Sequence, residues 1–223
     1  MYSIAIDGPA GAGKSTIAKT IAKKLGFIYV DTGAMYRAMG LYFLRKGVDG
    51  HDGETIAAMC PEIQVTIEYV NGEQQVLLNG ENVSGYIRTE EVGQMASVTS
   101  AQPAVRAALL QLQRDMAESA NILMDGRDIG THVLPNADLK IYLTASADVR
   151  AKRRYDELTA KGTACDLEKI KQDIIERDHQ DMTRAIAPLK KAEDAVLVDS
   201  SDMTIDQVVE TVIDEFHKIE GEA

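Results

Sequence analysis

Eight residues near the N-terminus restrict the fold more than any others: Gly8-Pro9-Ala10-Gly11-Ala12-Gly13-Lys14-Ser15. They match the pattern G-x-x-x-x-G-K-[ST], and their surroundings suit it. The apolar run Tyr2 to Ile6 reads as a buried strand leading into the loop. From Lys14 to Leu25 the apolar residues Ile17, Ala18, Ile21, Ala22 and Leu25 recur on one helical face, and Gly26 is placed to end that helix. Glycines let successive backbone N–H groups turn toward phosphate oxygens, and the helix N-terminus adds favourable partial charge. Lys14 can neutralise the β- and γ-phosphates, and the Ser15 hydroxyl can ligate magnesium. The loop therefore points to ATP or GTP, but the reaction that follows is not written in it.

Downstream, short apolar runs alternate with helical periodicity, the pattern of βα units around a parallel sheet. Strands are expected at Ser3–Ile6, Phe27–Val30, Asn121–Met124, Leu139–Leu143 and Ala195–Val198. The segment from about 62 to 84 differs: Val65, Ile67 and Tyr69 alternate with polar residues, Asn71-Gly72 signals a hairpin, and Val76 to Leu78 return. A small antiparallel insert accounts for it. At 223 residues one compact domain with insertions is the default.

A net charge of -11 argues against nonspecific nucleic-acid binding and requires any phosphate site to be locally basic. Two cysteines without zinc-ligand spacing and the lack of a long apolar segment point away from a disulfide framework and from membranes. A cytoplasmic monomer is the expectation.

Four further clusters carry chemistry. Asn121 to Asp125 reads as a buried strand ending in a carboxylate; Asp125 either faces a magnesium ion or is a structural strand-end residue. Asp31-Thr32-Gly33-Ala34-Met35-Tyr36-Arg37 follows the second strand, where Asp31 or Thr32 can cap a helix bearing Arg37. Gly126-Arg127-Asp128 follows the third; its Arg and Asp either pair with each other or grip a phosphate and a base edge. Finally Ile170, Ile174, Arg177, Asp181 and Arg184 share a helical stripe that turns from apolar to charged. Alone it could be a solvated ion-pair ladder, but beside two other Arg/Asp clusters a functional role is the better account. No Asn-Lys-x-Asp guanine-reading motif occurs, and the number of arginines exceeds what a nucleotide switch needs. A kinase for a different small acceptor is the main competing reading.

The stretches IDGPAGAGKST, DTGAMYR, NGENVSGYIRTEEV, DGRDIGTHVLPNADLKIYL and ERDHQDMTRAIAPL run from residue 6 to residue 189. Through them the chain resembles the bacterial cytidylate kinases, within the P-loop nucleoside monophosphate kinases. The resemblance implies an α/β P-loop NTPase fold with a five-stranded parallel sheet flanked by helices, a small antiparallel insert and a lid. It places the core in 1–32, 85–150 and 186–223, a monophosphate-binding region in 33–84, and the lid in about 151–185. It also implies transfer of the ATP γ-phosphoryl group to CMP or dCMP, with Mg2+.

By the same resemblance, Gly8, Pro9, Ala10, Gly11, Ala12, Gly13, Lys14, Ser15 and Thr16 bind ATP. Arg153 and Arg154, before a lid turn near Gly162, and Arg177 after it close over the ATP phosphates. Thr32, Arg106, Asp128 and Arg184 would contact cytosine, and Ser97, Arg106 and Asp181 the sugar. Arg37, Arg88 and Arg127 would hold the CMP phosphate. Lys14, Arg127 and Arg177 would form the catalytic set; Ser15 is the expected metal ligand, and Asp125 joins it in the metal set unless it is the structural strand-end residue. Asp128 is the candidate reader of the cytosine amino group, which uracil lacks.

Overall fold

The computed structural model describes residues 1–222. The first strand, β1 (Ser3–Asp7), is almost wholly buried. It delivers the chain to α1 (Lys14–Leu25), whose buried residues include Ile17, Ala18, Ile21 and Ala22, the expected face. Gly26 ends α1 in the left-handed conformation at φ 69, and its N–H bonds the Ala22 carbonyl. A side chain there would be strained, which is why the stop was legible.

β2 (Ile28–Asp31) leads into α2 (Thr32–Arg45), α3 (Gly53–Met59), β3 (Val65–Val70), β4 (Glu73–Leu78), β5 (Glu81–Asn82), α4 (Glu90–Thr99) and α5 (Pro103–Ala117). There follow β6 (Ile122–Gly126), a π-helical turn at Ile129–Val133, β7 (Leu139–Thr144), α6 (Ala147–Ala160), α7 (Leu167–Thr183), β8 (Val196–Asp199) and α8 (Ile205–Glu222). One sheet has the order β2-β6-β1-β7-β8, with β1 parallel to β6 and β7, and β7 parallel to β8. The other is the antiparallel sheet β3-β4-β5. The expected strands are present, with ends shifted or extended by one or two residues, and the insert gains a third short strand that the sequence did not announce.

The chain divides into two compact units, residues Met1–Tyr29 with Asn121–Ala223, and Val30–Ala120. In the first, α1 and α8 cover the sheet, and Ile4, Ile6, Leu123, Ile141, Leu143 and Phe216 lie in its core. The Phe216 ring meets Tyr2 and Phe27 edge to face, with centroids 5.2 and 5.3 Å away. Among the described residues no helix is long and apolar enough to cross a membrane.

The second unit is organised by α2, which buries Met35, Ala38, Met39 and Phe43 and packs on α4, α5 and β4. Gly40 allows the close approach of α4: a Cβ there would stand 2.9 Å from the Ala96 backbone nitrogen. Gly40→Ala would gain roughly 1 kcal/mol of helix propensity, but wedging a methyl group against backbone costs about 1–3 kcal/mol. Chemical denaturation is expected to show a net loss of roughly 1 kcal/mol; a gain would mean that α2 and α4 separate freely.

Candidate functional site

The loop between β1 and α1 ends at Gly13, which is left-handed and leaves the α1 N-terminus without a side-chain cap. The first-turn N–H groups of such a helix are open to an anion. Lys14 is buried and its Nζ donates to the Pro9 carbonyl at 2.8 Å. Burial, followed by the nearby Arg127 charge, pulls its pKa down to about 7, although Asp125, Asp181 and Asp7 pull the other way.

Ser15 Oγ donates to Asp125 Oδ2 at 3.0 Å, and the Tyr29 hydroxyl donates to Asp125 Oδ1 at 2.8 Å. Asp125 sits near the end of β6, so the sheet itself carries the carboxylate to the phosphate loop. A hydroxyl beside a carboxylate is an all-oxygen donor set suited to a hard cation such as magnesium. Tyr29 escaped the sequence reading because a tyrosine in an apolar strand looks like packing.

Arg127 Nε donates to Asp181 Oδ2 at 2.8 Å. Burial alone would raise the Asp181 pKa, but Arg127, Arg177 and Arg184 together hold it below the usual carboxylate value. Arg184 donates through Nε to the Ala187 carbonyl at 2.8 Å and reaches Asp128 Oδ1 at 3.2 Å. The side chains of Arg184 and Asp128 are 6% and 5% exposed, so the solvated-ladder reading fails. Arg184 lies at the C-cap of α7 rather than within the helix, and this turns its side chain back toward Asp128. Lys14, Ser15, Asp125, Arg127, Asp128, Asp181 and Arg184 are thus linked within the first unit.

Arg153 donates to the Ser200 carbonyl at 2.7 Å, and Arg154 pairs with Glu157 at 2.9 Å. Both line a cavity of about 510 Å³ that also meets Gly13, Thr16, Met203 and Ile205. Arg177 lies on α7 one residue before Asp178, and α6 and α7 are joined through a turn holding Gly162 at φ 74.

In the second unit Asp31, not Thr32, caps α2: its Oδ1 accepts from Ala34 N at 3.0 Å and its Oδ2 from Arg88 at 2.8 Å. The Gln74 side chain bonds both the N–H and the carbonyl of Asp31, at 2.8 and 3.2 Å. The insert therefore steadies the residue that orients Arg88. Thr32 begins α2, which also bears Arg37, and Ser97 lies on α4. Arg106, on α5, is buried with its guanidinium 5.3 Å from the Tyr36 ring centroid.

Asp7 is a further residue that the sequence did not mark. Its carboxylate accepts from Ile129 N and Gly130 N at 2.8 and 2.7 Å, holding the π-helical turn that follows Asp128. Burial outweighs these hydrogen bonds and raises its pKa from 3.8 to about 6. Between those values the folded chain retains a proton that the unfolded chain has released, so acid favours folding through this group. In urea titrations, stability relative to Asp7→Asn is expected to move in favour of the unsubstituted protein by roughly 2 kcal/mol as pH falls from about 7.5 to about 4.5. A difference that is flat with pH would mean Asp7 stays ionised throughout.

The family model described as cytidylate kinase matches residues 4–218. A cytidylate kinase of Shouchella clausii (strain KSM-K16) is 49% identical over 213 residues, covering 96% of this chain and 95% of its own. One from Listeria monocytogenes serovar 1/2a (strain ATCC BAA-679 / EGD-e) is 51% identical over 211 residues, covering 94% and 93%. Among solved structures, an uncharacterized protein from Eubacterium ventriosum ATCC 27560 aligns with TM-score 0.52 at 12% identity, covering 97% of this chain and 98% of its own. That likeness concerns the fold alone. By its sequence over nearly its whole length, the chain belongs to the cytidylate kinase family.

Proposed function

We propose that this protein transfers the γ-phosphoryl group of ATP to CMP or dCMP, giving ADP and CDP or dCDP. The observation that carries the reading is the joining of Lys14, Ser15 and Asp125 to the Arg127-Asp181 and Arg184-Asp128 pairs within one compact unit. The names of the relatives, cytidylate kinases at about half identity, support the acceptor.

The acceptor phosphate has a second pKa near about 6 and is largely ionised at neutral pH, so it needs no general base. The difficulty is repulsion between two anions, and fixed guanidinium groups oppose it. Arginine serves because its planar fork stays charged and can pair with phosphate through two bonds. The family resemblance assigns Arg127, and likewise Arg37 and Arg88, to the acceptor phosphate. Arg153, Arg154 and Arg177 are assigned to the ATP side. Arg177 borders Asp178 on α7, and residues 151–185 act as the lid that keeps water from the γ-phosphoryl group.

Ser15 and Asp125 are the residues that would hold magnesium, whose charge would offset that of the donor phosphates when bound. The loop residues Gly8 to Thr16 bind the ATP phosphates, and the cavity beside Thr16 and Met203 suits the donor base. Thr32, Ser97 and Arg106 are assigned to base and sugar, with Asp181 to the sugar, and the region 33–84 to monophosphate binding. Asp128 accepts and Arg184 donates, which complements the amino and carbonyl edges of cytosine. The protein acts as a cytoplasmic monomer on these small molecules, without nucleic acid or membrane partners.

An ADP-release assay with ATP, magnesium and each monophosphate tests the reading. Turnover is expected with CMP and dCMP, weakly with UMP, and not with AMP or GMP. Activity on another acceptor would overturn the base assignment, and no acceptor-dependent release would overturn the reaction. Asp128→Ala is expected to raise the CMP KM about a hundredfold and to narrow the preference over UMP, because it removes the group that distinguishes the two bases. Arg177→Ala is expected to lower kcat by roughly a hundredfold or more with little change in CMP affinity. A raised CMP KM at unchanged kcat would count against the assignment of Arg177 to the reacting phosphoryl group.

A further inference from the structure

Arg150 stands apart from the arginines assigned above. It lies in the first helical turns of α6, it is 5% exposed, and its guanidinium reaches three different segments. Nε donates to the Ala145 carbonyl just before α6 at 2.8 Å. Nη1 donates to the Ala10 carbonyl, inside the phosphate loop, at 2.8 Å. Nη2 pairs with Asp178 Oδ2 on α7 at 2.7 Å, and both side chains are largely shielded from water, 6% and 12% exposed. Asp178 Oδ1 has no hydrogen-bond partner among the described residues, so this carboxylate is given over to Arg150.

The bond to Ala10 bears directly on the loop. In a trans peptide the carbonyl and the following N–H point in opposite directions. Holding the Ala10 carbonyl against Arg150 therefore turns the Gly11 N–H to the opposite side of the loop backbone. Gly11 is also packed on Arg150: its φ is +74, and a Cβ built there would stand 3.4 Å from Arg150 Cβ. The loop is thus fixed from outside at the peptide whose N–H opens its anion-binding half.

The bond to Asp178 extends this brace to α7. Asp178 follows Arg177 and precedes Asp181 by one helical turn, and Asp181 holds Arg127. The helix bearing these groups is therefore joined to the phosphate loop through a single planar guanidinium.

We propose that Arg150, held by Asp178, is a positioning residue for donor phosphate binding: it fixes the orientation of the Ala10–Gly11 peptide and ties α7 to the loop. The proposal rests on the reading of the loop as the ATP site. Lysine cannot replace this residue, because a single ammonium on a flexible stem does not span three carbonyl and carboxylate acceptors in one plane. Asparagine at 178 keeps the shape of the carboxylate but not its charge.

Isothermal titration of magnesium-ATP and, separately, of CMP into the intact protein tests this, with thermal midpoints and steady-state kinetics measured alongside. Arg150→Lys and Asp178→Asn are each expected to weaken ATP binding about tenfold, the usual effect of losing a charge-assisted bond, and to lower kcat. CMP affinity is expected to stay within about twofold. The double variant is expected to bind ATP no more weakly than Arg150→Lys alone, since both changes break one unit. Unchanged ATP affinity with a lowered thermal midpoint would overturn the proposal and leave the pair a structural brace. Parallel loss of ATP and CMP binding would also overturn it, because general loosening would then be the cause. Failure of the unsubstituted protein to bind ATP would instead overturn the donor reading on which the proposal stands.

Discussion

The Arg127-Asp181 pair is the contact on which the arrangement of the first unit depends. It joins the end of β6 to α7 across 54 residues of sequence and lies largely out of water. A buried guanidinium without a partner is strongly disfavoured, and so is a buried carboxylate. Each therefore fixes the other, and α7 brings Arg177 and Arg184 with it. The proximity of Lys14 to Arg127 shows how concentrated the positive charge is, since that neighbour helps to depress the Lys14 pKa.

A chain of net charge -11 must collect cations locally if it is to gather two phosphates. It does so with carboxylates that each hold a hydroxyl, a guanidinium or a backbone segment in place. Asp125 receives Ser15 and Tyr29, Asp128 receives Arg184, and Asp178 receives Arg150. In the second unit Asp31 caps α2 and receives Arg88. Asp7 has a different task, since it accepts two backbone N–H groups and meets no arginine directly. Its elevated pKa follows from that difference: backbone dipoles offset its burial less fully than a guanidinium would.

Membership of the cytidylate kinase family and the α/β architecture were both legible in the residues. Strand cores showed as apolar runs and α1 as a helical face ended by Gly26, because those signals are local and periodic. β5 was not legible, for Glu81-Asn82 is too short to alternate. The π-helical turn at 129–133 was also hidden, since the group that holds it, Asp7, lies 122 residues earlier. Arg184 was placed on a helical stripe by spacing, whereas the helix ends at Thr183 and frees it to fold back on Ala187.

The sequence by itself determined the phosphate loop, the alternation of strands and helices, the hairpin at Asn71-Gly72 and the chemical types gathered after each strand. These depend on neighbours within a few residues, where backbone conformation and side-chain period act directly. Tertiary structure alone decided which arginine pairs with which carboxylate. It set Arg153 on Ser200, and it turned Arg150 toward both Ala10 and Asp178. Charges attract without regard to sequence separation, so their pairing is settled only when packing has fixed which of them share a buried space.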